Sequence, residues 1–242
     1  MFNMVYAAYG VIHFGLLFWA ARLYVRRRSL GLALLMLVLA GLVYDNGIIA
    51  AGSSVGMGET LRALNVPRFL LHALLTPTFI ITTLELAQRA GVGWLQKPLA
   101  QRGLWAATVL LAVVGLFTGV IGMELYPACF GGTLRYAERV AESQLCFEGQ
   151  EVHAGGIPPL AAIGTIVLVL VIAIAIWRKN GWYWLLLGAA AMLIAGAVPA
   201  SRVGPWVGSA GEVVLALALL VTEAKWQRGT VAGESAPQLQ MS

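Results

Sequence analysis

Asp45, Arg68, His72 and Glu212 are the side chains of this sequence best placed to do chemistry, because each is ionisable and each falls within a long apolar stretch. Placing such a group in hydrocarbon costs about 3 kcal/mol, so it is expected to be paired or to line a cavity. Asn65, Arg68, His72 and Thr76 recur at three- and four-residue spacing, which stacks an amide, a guanidinium, an imidazole and a hydroxyl on one helical face. Pro67 suits a first helical turn, while Pro77 removes an internal hydrogen bond and predicts a kink just below His72. Asp45, followed by Asn46, and Glu212 sit at similar depth in two other stretches, and the first stretch carries a stripe of Asn3, Tyr6, Tyr9 and His13.

This set supports several chemistries. Arg68 suits an anionic headgroup or carboxylate, with Asp45 or His72 as general acid or base and Glu212 as the orienting partner. Asn46, Tyr9 and His13 are further candidates for ligand binding. The competing structural reading makes two ion pairs of the same residues, Asp45 with Arg68 and His72 with Glu212, that only fix neighbouring helices. A metal site would combine His72, Asp45 and Glu212, but there is no His-Glu-xx-His pattern to support it. Haem would use His13 and His72, the two histidines inside apolar stretches, although their depths differ by roughly 10 Å on straight helices. No motif names a cofactor, and the residues do not choose between an enzyme and a binding protein.

The elements that must position these groups are membrane helices. Hydrophobic residues make up 60% of the 242, charged residues 11%, and the mean hydropathy is +0.81, which excludes a soluble domain. A span needs about 20 apolar residues. Seven stretches qualify, at residues 4–24, 30–52, 67–87, 103–125, 157–177, 181–200 and 205–225. Their length and uniform apolarity exclude alternating barrel strands, so the expected fold is all-α, a seven-helix transmembrane bundle over residues 1–228.

Basic residues set the orientation. Of the 16 Lys and Arg, Arg22, Arg26, Arg27, Arg28, Arg89, Lys97, Arg102, Arg178, Lys179, Lys225 and Arg228 lie on one side, and Arg62, Arg68, Arg135, Arg139 and Arg202 on the other. The positive-inside rule then predicts an external N-terminus and a cytoplasmic C-terminus in the cell membrane. The first stretch resembles a retained reverse anchor more than a cleaved signal.

Cys129 and Cys146 share the longest loop, 126–156, on the side predicted to be external, and are expected to form a disulfide. From Thr133 to Phe147, Leu134, Ala137, Ala141 and Leu145 follow helical spacing, which predicts a short surface helix. The tail 229–242 lacks apolar mass and is expected to be disordered. Small residues on the fourth stretch, including Gly115, Gly119 and Gly122, suit close helix packing.

Several functions are disfavoured. No lysine lies mid-span for a retinal Schiff base, and the Asp-Arg-Tyr and Asn-Pro-xx-Tyr motifs of G-protein-coupled receptors are missing. A transport path would need polar residues in both membrane halves, whereas the inner halves carry little beyond Glu85 and Glu223, each near an end where it can reach water. The expected function is a polar pocket in the outer half that binds or acts on a lipid-like or small amphipathic molecule. The alternatives are an accessory or scaffold subunit of a larger membrane complex, and a haem- or metal-binding membrane protein. The expected partners are membrane lipids, a second copy or a larger membrane complex, and not nucleic acid.

Overall fold

The computed structural model describes residues 2–153, 155 and 158–234. It is mostly helical, with six helical segments long and apolar enough to cross a membrane. These are α1 (Phe2–Arg26), α2 (Leu30–Val55), the segment Glu59–Arg89, α5 (Pro98–Gly119), α6 (Leu160–Asn180) and α9 (Trp206–Glu234). Glu59–Arg89 comprises α3 (Glu59–Leu75), a 3-10 turn at Thr76–Thr78 and α4 (Phe79–Arg89). The stretch expected at 181–200 forms α7 (Trp184–Ala197), whose 14 residues rise about 21 Å, short of a 30 Å hydrocarbon core. A one-turn helix, α8 (Ala200–Val203), follows it.

The loop after α5 departs from expectation. The predicted surface helix at 133–147 is instead the second strand of a hairpin followed by a 3-10 turn at Glu142–Gln144. Strands β1 (Tyr126–Phe130) and β2 (Thr133–Ala137) pair antiparallel, with Phe130 opposite Thr133 across Gly131 and Gly132. Both glycines have positive φ, 53° and 91°, which a two-residue hairpin turn favours. The helical spacing of Leu134, Ala137, Ala141 and Leu145 was coincidental, because strand pairing and the Cys129–Cys146 disulfide set the backbone.

This cap is held from several sides. The Phe2 backbone N–H donates to the Gly131 carbonyl at 3.2 Å, and the Ser53 hydroxyl to the Gly132 carbonyl at 2.6 Å. The Phe2 ring packs against Phe130 and Trp206. Ser143 and Gln144 donate to the carbonyls of Ser201 and Ala200. The N-terminus, the cap and α8 therefore share one end of the bundle. Asn180 meets the Ala90 carbonyl at the opposite end, so α7 returns through the depth of the bundle to bring Ala200 beside Gln144.

The two halves of the bundle differ because the Thr76–Thr78 turn splits the central segment. Beyond it, α4 packs on α2, α5, α6 and α9 and buries eight of its 11 residues, Phe79 to Leu84, Leu86 and Ala87. Thr78, Thr82 and Thr83 hydroxyls return hydrogen bonds to nearby carbonyls, which helps satisfy the backbone around Pro77. Before the turn, α3 packs mainly on α2 and α5 and under β2, leaving space on the side of α6 and α9. α3 also starts earlier than expected, which places Pro67 inside the helix and not in its first turn.

Two further expectations are corrected. Glu223 does not reach out to water: it and Glu85, whose side chain stays 23% exposed, converge on Arg89, with Glu85 at 3.2 Å and Glu223 closer. Only 5% of the Glu223 side chain is exposed, and Gln227 donates to the same carboxylate. In the expected disordered tail, residues 229–234 continue α9, and residues 235–242 lie outside the described residues.

Gly52 fixes where the cap sits, since a Cβ there would stand 1.8 Å from the Leu134 carbonyl oxygen. Gly52→Ala is predicted to destabilise the protein by roughly 1–3 kcal/mol and to speed proteolysis of the loop 126–153. Gly47→Ala, with nothing within 4 Å of its added Cβ, is the control expected to leave both unchanged or slightly improved, as checked by thermal melting and limited proteolysis in detergent.

Candidate functional site

Asp45 anchors the site. Its Oδ1 accepts from Nε of Arg68 at 2.7 Å, joining α2 to α3. Nη1 of Arg68 donates to Oδ1 of Asn65, one turn back, and the same oxygen accepts from the Tyr136 backbone N–H at 3.2 Å. One chain of hydrogen bonds thus runs from α2 through α3 into β2. Charge-assisted bonds of this kind are about twice as strong as neutral ones. Arg68 is 9% exposed, and only its Nε and Nη1 are engaged by protein acceptors.

Beside this chain lies a cavity of about 670 Å³. Arg68, Phe69, His72 and Thr76 form one wall, Gly115 and Gly119 of α5 with Ala161 and Ala162 of α6 another, and Glu212 of α9 a third. The cap supplies Arg135 and Glu138. His72 counts as exposed although it lies within the bundle, because its ring opens into this space. The Oε2 atom of Glu212 is buried without a hydrogen-bond partner among the described residues.

Arg135 is the functional candidate that helical reading of the loop concealed. Its signal was strand alternation after the two glycines, in which Arg135 and Ala137 share a face and both line the cavity. Its Nε is buried without a partner, and no carboxylate lies within 4 Å among the described residues. Burial, and then the like charge of Arg68, push its pKa down to about 10, so it still carries its charge at neutral pH. Burial likewise raises the Glu138 carboxyl above the ordinary range, against the opposing pull of Arg139.

The structure brings together Asp45, Arg68, His72 and Glu212 around one cavity. It does not bring Asn46, Tyr9 or His13 there. Asn46 is fully buried, donates to the Leu42 carbonyl at 2.8 Å, and its Cβ lies 3.8 Å from where a Cβ on Gly10 would be, so it faces α1. His13 is fully buried in α1, and Tyr9 meets the Tyr6 ring edge-on at 6.3 Å. The Asp45–Arg68 ion pair forms, whereas His72 and Glu212 make none among the described residues. His13 is fully buried, whereas His72 lines the cavity. Among the described residues no three His, Cys, Asp or Glu side chains are grouped to hold a metal ion.

The fold and the cavity define a multi-pass helical membrane protein with a chamber beneath a disulfide-bonded hairpin cap. No family model, curated protein or solved structure matches the chain.

Two predictions follow from the unequal pairing of the arginines. Asp45→Ala strands the Arg68 charge and is expected to cost about 3–5 kcal/mol, and adding Arg68→Met to it should recover part of that loss in chemical denaturation. Arg135→Met is expected to stabilise the ligand-free protein by on the order of 1 kcal/mol, because it removes a desolvated, unpaired charge. The native pKa of Arg135 lies below its unfolded value, so above about pH 10 the native state sheds the proton that the unfolded chain retains. Wild-type stability then gains on Arg135→Met as pH rises through that window, narrowing the gap measured by melting at pH 8 and pH 11.

Proposed function

We propose that this protein is a seven-pass cell-membrane protein, with its N-terminus and cap outside, that binds a lipid-like or small amphipathic molecule in the outer half of the bundle. The observation that carries the reading is the pair of buried guanidiniums, Arg68 and Arg135, which with the exposed Arg139 line one cavity whose other residues are largely small and apolar. Ligand chambers have this makeup and volumes of about 300–1,000 Å³. The cavity is not the closed, dry ion-pair network that a pure scaffold would need. Its rim includes Gly119, Pro158 and Ala162 at the cap ends of α5 and α6, and Phe117, Ile121 and Ile163 nearby are 67%, 61% and 45% exposed. An apolar tail leaving the chamber there would meet hydrocarbon and not water.

The return of α7 to the cap end supports a seventh crossing despite its short helix, with the flanking residues at 181–183 and 198–199 completing the span. The end opposite the cap carries the surplus of Arg and Lys, which supports its placement in the cytoplasm. In this reading His72, opening into the chamber, is the candidate acid/base group, and Asp45 is held by Arg68.

Native mass spectrometry with lipid identification tests the reading. A bound amphipath is expected on wild-type protein and its retention should fall at least tenfold in folded Arg68→Ala. A protein partner in place of any small ligand would favour the accessory-subunit alternative. Cysteines placed at 60 and 230 should react with an impermeant thiol reagent outside and inside respectively, and labelling of both from one side would refute the topology.

A further inference from the structure

The charges around the chamber do not cancel pair by pair. Asp45 takes Arg68, and Glu138 lies under the pull of its sequence neighbour Arg139, although no ion pair joins those two among the described residues. Arg135 on the cap and Glu212 on α9 remain, each with a buried polar atom lacking a protein partner. They are not partners of each other: no ion pair joins them among the described residues, and the groups acting electrostatically on Arg135 are Arg68, Tyr6 and Asp45, not Glu212. The chamber therefore presents an unmatched guanidinium and an unmatched carboxyl group on separate walls. A purely anionic ligand would meet Arg135 and leave Glu212 unmatched, and a purely cationic one would do the reverse.

Resting on the reading of the chamber as a binding site for an amphipath, we infer that its ligand carries a head group with both a phosphate and a primary amine, the phosphate between Arg68 and Arg135 and the amine at Glu212. A phosphate presents more oxygens than a carboxylate and can meet guanidinium forks from two directions at once. Arg68 retains unused N–H donors on the α3 wall, and Arg135 comes from the cap. The Glu212 Oε2 atom needs an N–H or O–H donor. A primary ammonium supplies that donor, whereas a trimethylated one has none. A head with one charge of each sign also leaves the net charge of the chamber unchanged. The same chemistry occurs on a phosphoethanolamine lipid and on a free phosphorylated amine.

The test is competitive binding to the full-length protein in phosphatidylcholine nanodiscs doped with phosphatidylethanolamine or phosphatidylglycerol, with soluble O-phosphoethanolamine as a further competitor. Wild type is expected to retain phosphatidylethanolamine at least tenfold better than the other two lipids. Glu212→Gln should remove that preference while keeping phosphatidylglycerol binding, and Arg135→Gln should weaken both by about tenfold. Glu212→Asp, with the carboxylate shortened, is the second variant should Glu212→Gln not fold, and should give a reduced preference. Binding of O-phosphoethanolamine with no lipid retained would assign the same head chemistry to a soluble ligand. Equal retention of phosphatidylglycerol and phosphatidylethanolamine by wild type would overturn the inference while leaving an amphipath site. A lipid preference unmoved by Glu212→Gln would do the same. No binding of any probe to wild type would overturn both the inference and the site.

Discussion

The ion pair between Asp45 and Arg68 is the constraint on which the cap end of the bundle depends. It joins α2 to α3, and through Asn65 it reaches the backbone of β2. A buried pair of this kind is weak evidence for net stability, since desolvation offsets much of the attraction. Its effect here is positional. With Nε held by Asp45 and Nη1 by Asn65, the guanidinium has little freedom, and the rest of it is directed toward the chamber. The strand fixed by Asn65 is the one that carries Arg135.

The division of the central segment at Thr76–Thr78 accounts for the chamber lying at the cap end. A continuous helix through the centre would pack alike along its length. Here α4 fills the middle of the far half with Phe79, Ile80 and Ile81, while α3 leans on α2 and α5 and leaves room beside it. Pro77 lies in that turn, and the neighbouring threonines return hydrogen bonds to the backbone carbonyls around it. Arg89, with Glu85 and Glu223, then closes the far end with charge buried against charge.

Much of this was legible in the sequence, for identifiable reasons. Apolar length marked the six long helical segments, and spacing alone placed Asn65, Arg68, His72 and Thr76 on one face of a helix. The break in α-helical pattern at Pro77 and the Cys129–Cys146 bond followed from proline chemistry and from two cysteines sharing one loop. Spacing could not say which way the α1 stripe points. Asn46 fell at the α1–α2 contact, where Gly10 allows close approach, while His13 is buried within α1 and Tyr9 meets Tyr6 on its own helix. Arg135 escaped because four apolar residues in its loop happened to fit a helical period, and the stronger signal, Gly131-Gly132 followed by alternation, was outweighed. Glu85 and Glu223 were judged by depth along their own helices, whereas Arg89, one turn from Glu85 on α4, also reaches Glu223 across on α9.

The triad of Arg89, Glu85 and Glu223 lies in the packed far half, across the Thr76–Thr78 turn from the chamber. An amphipath held as proposed would therefore reach the chamber from the cap half of the bundle, and its occupancy would report the leaflet on that side.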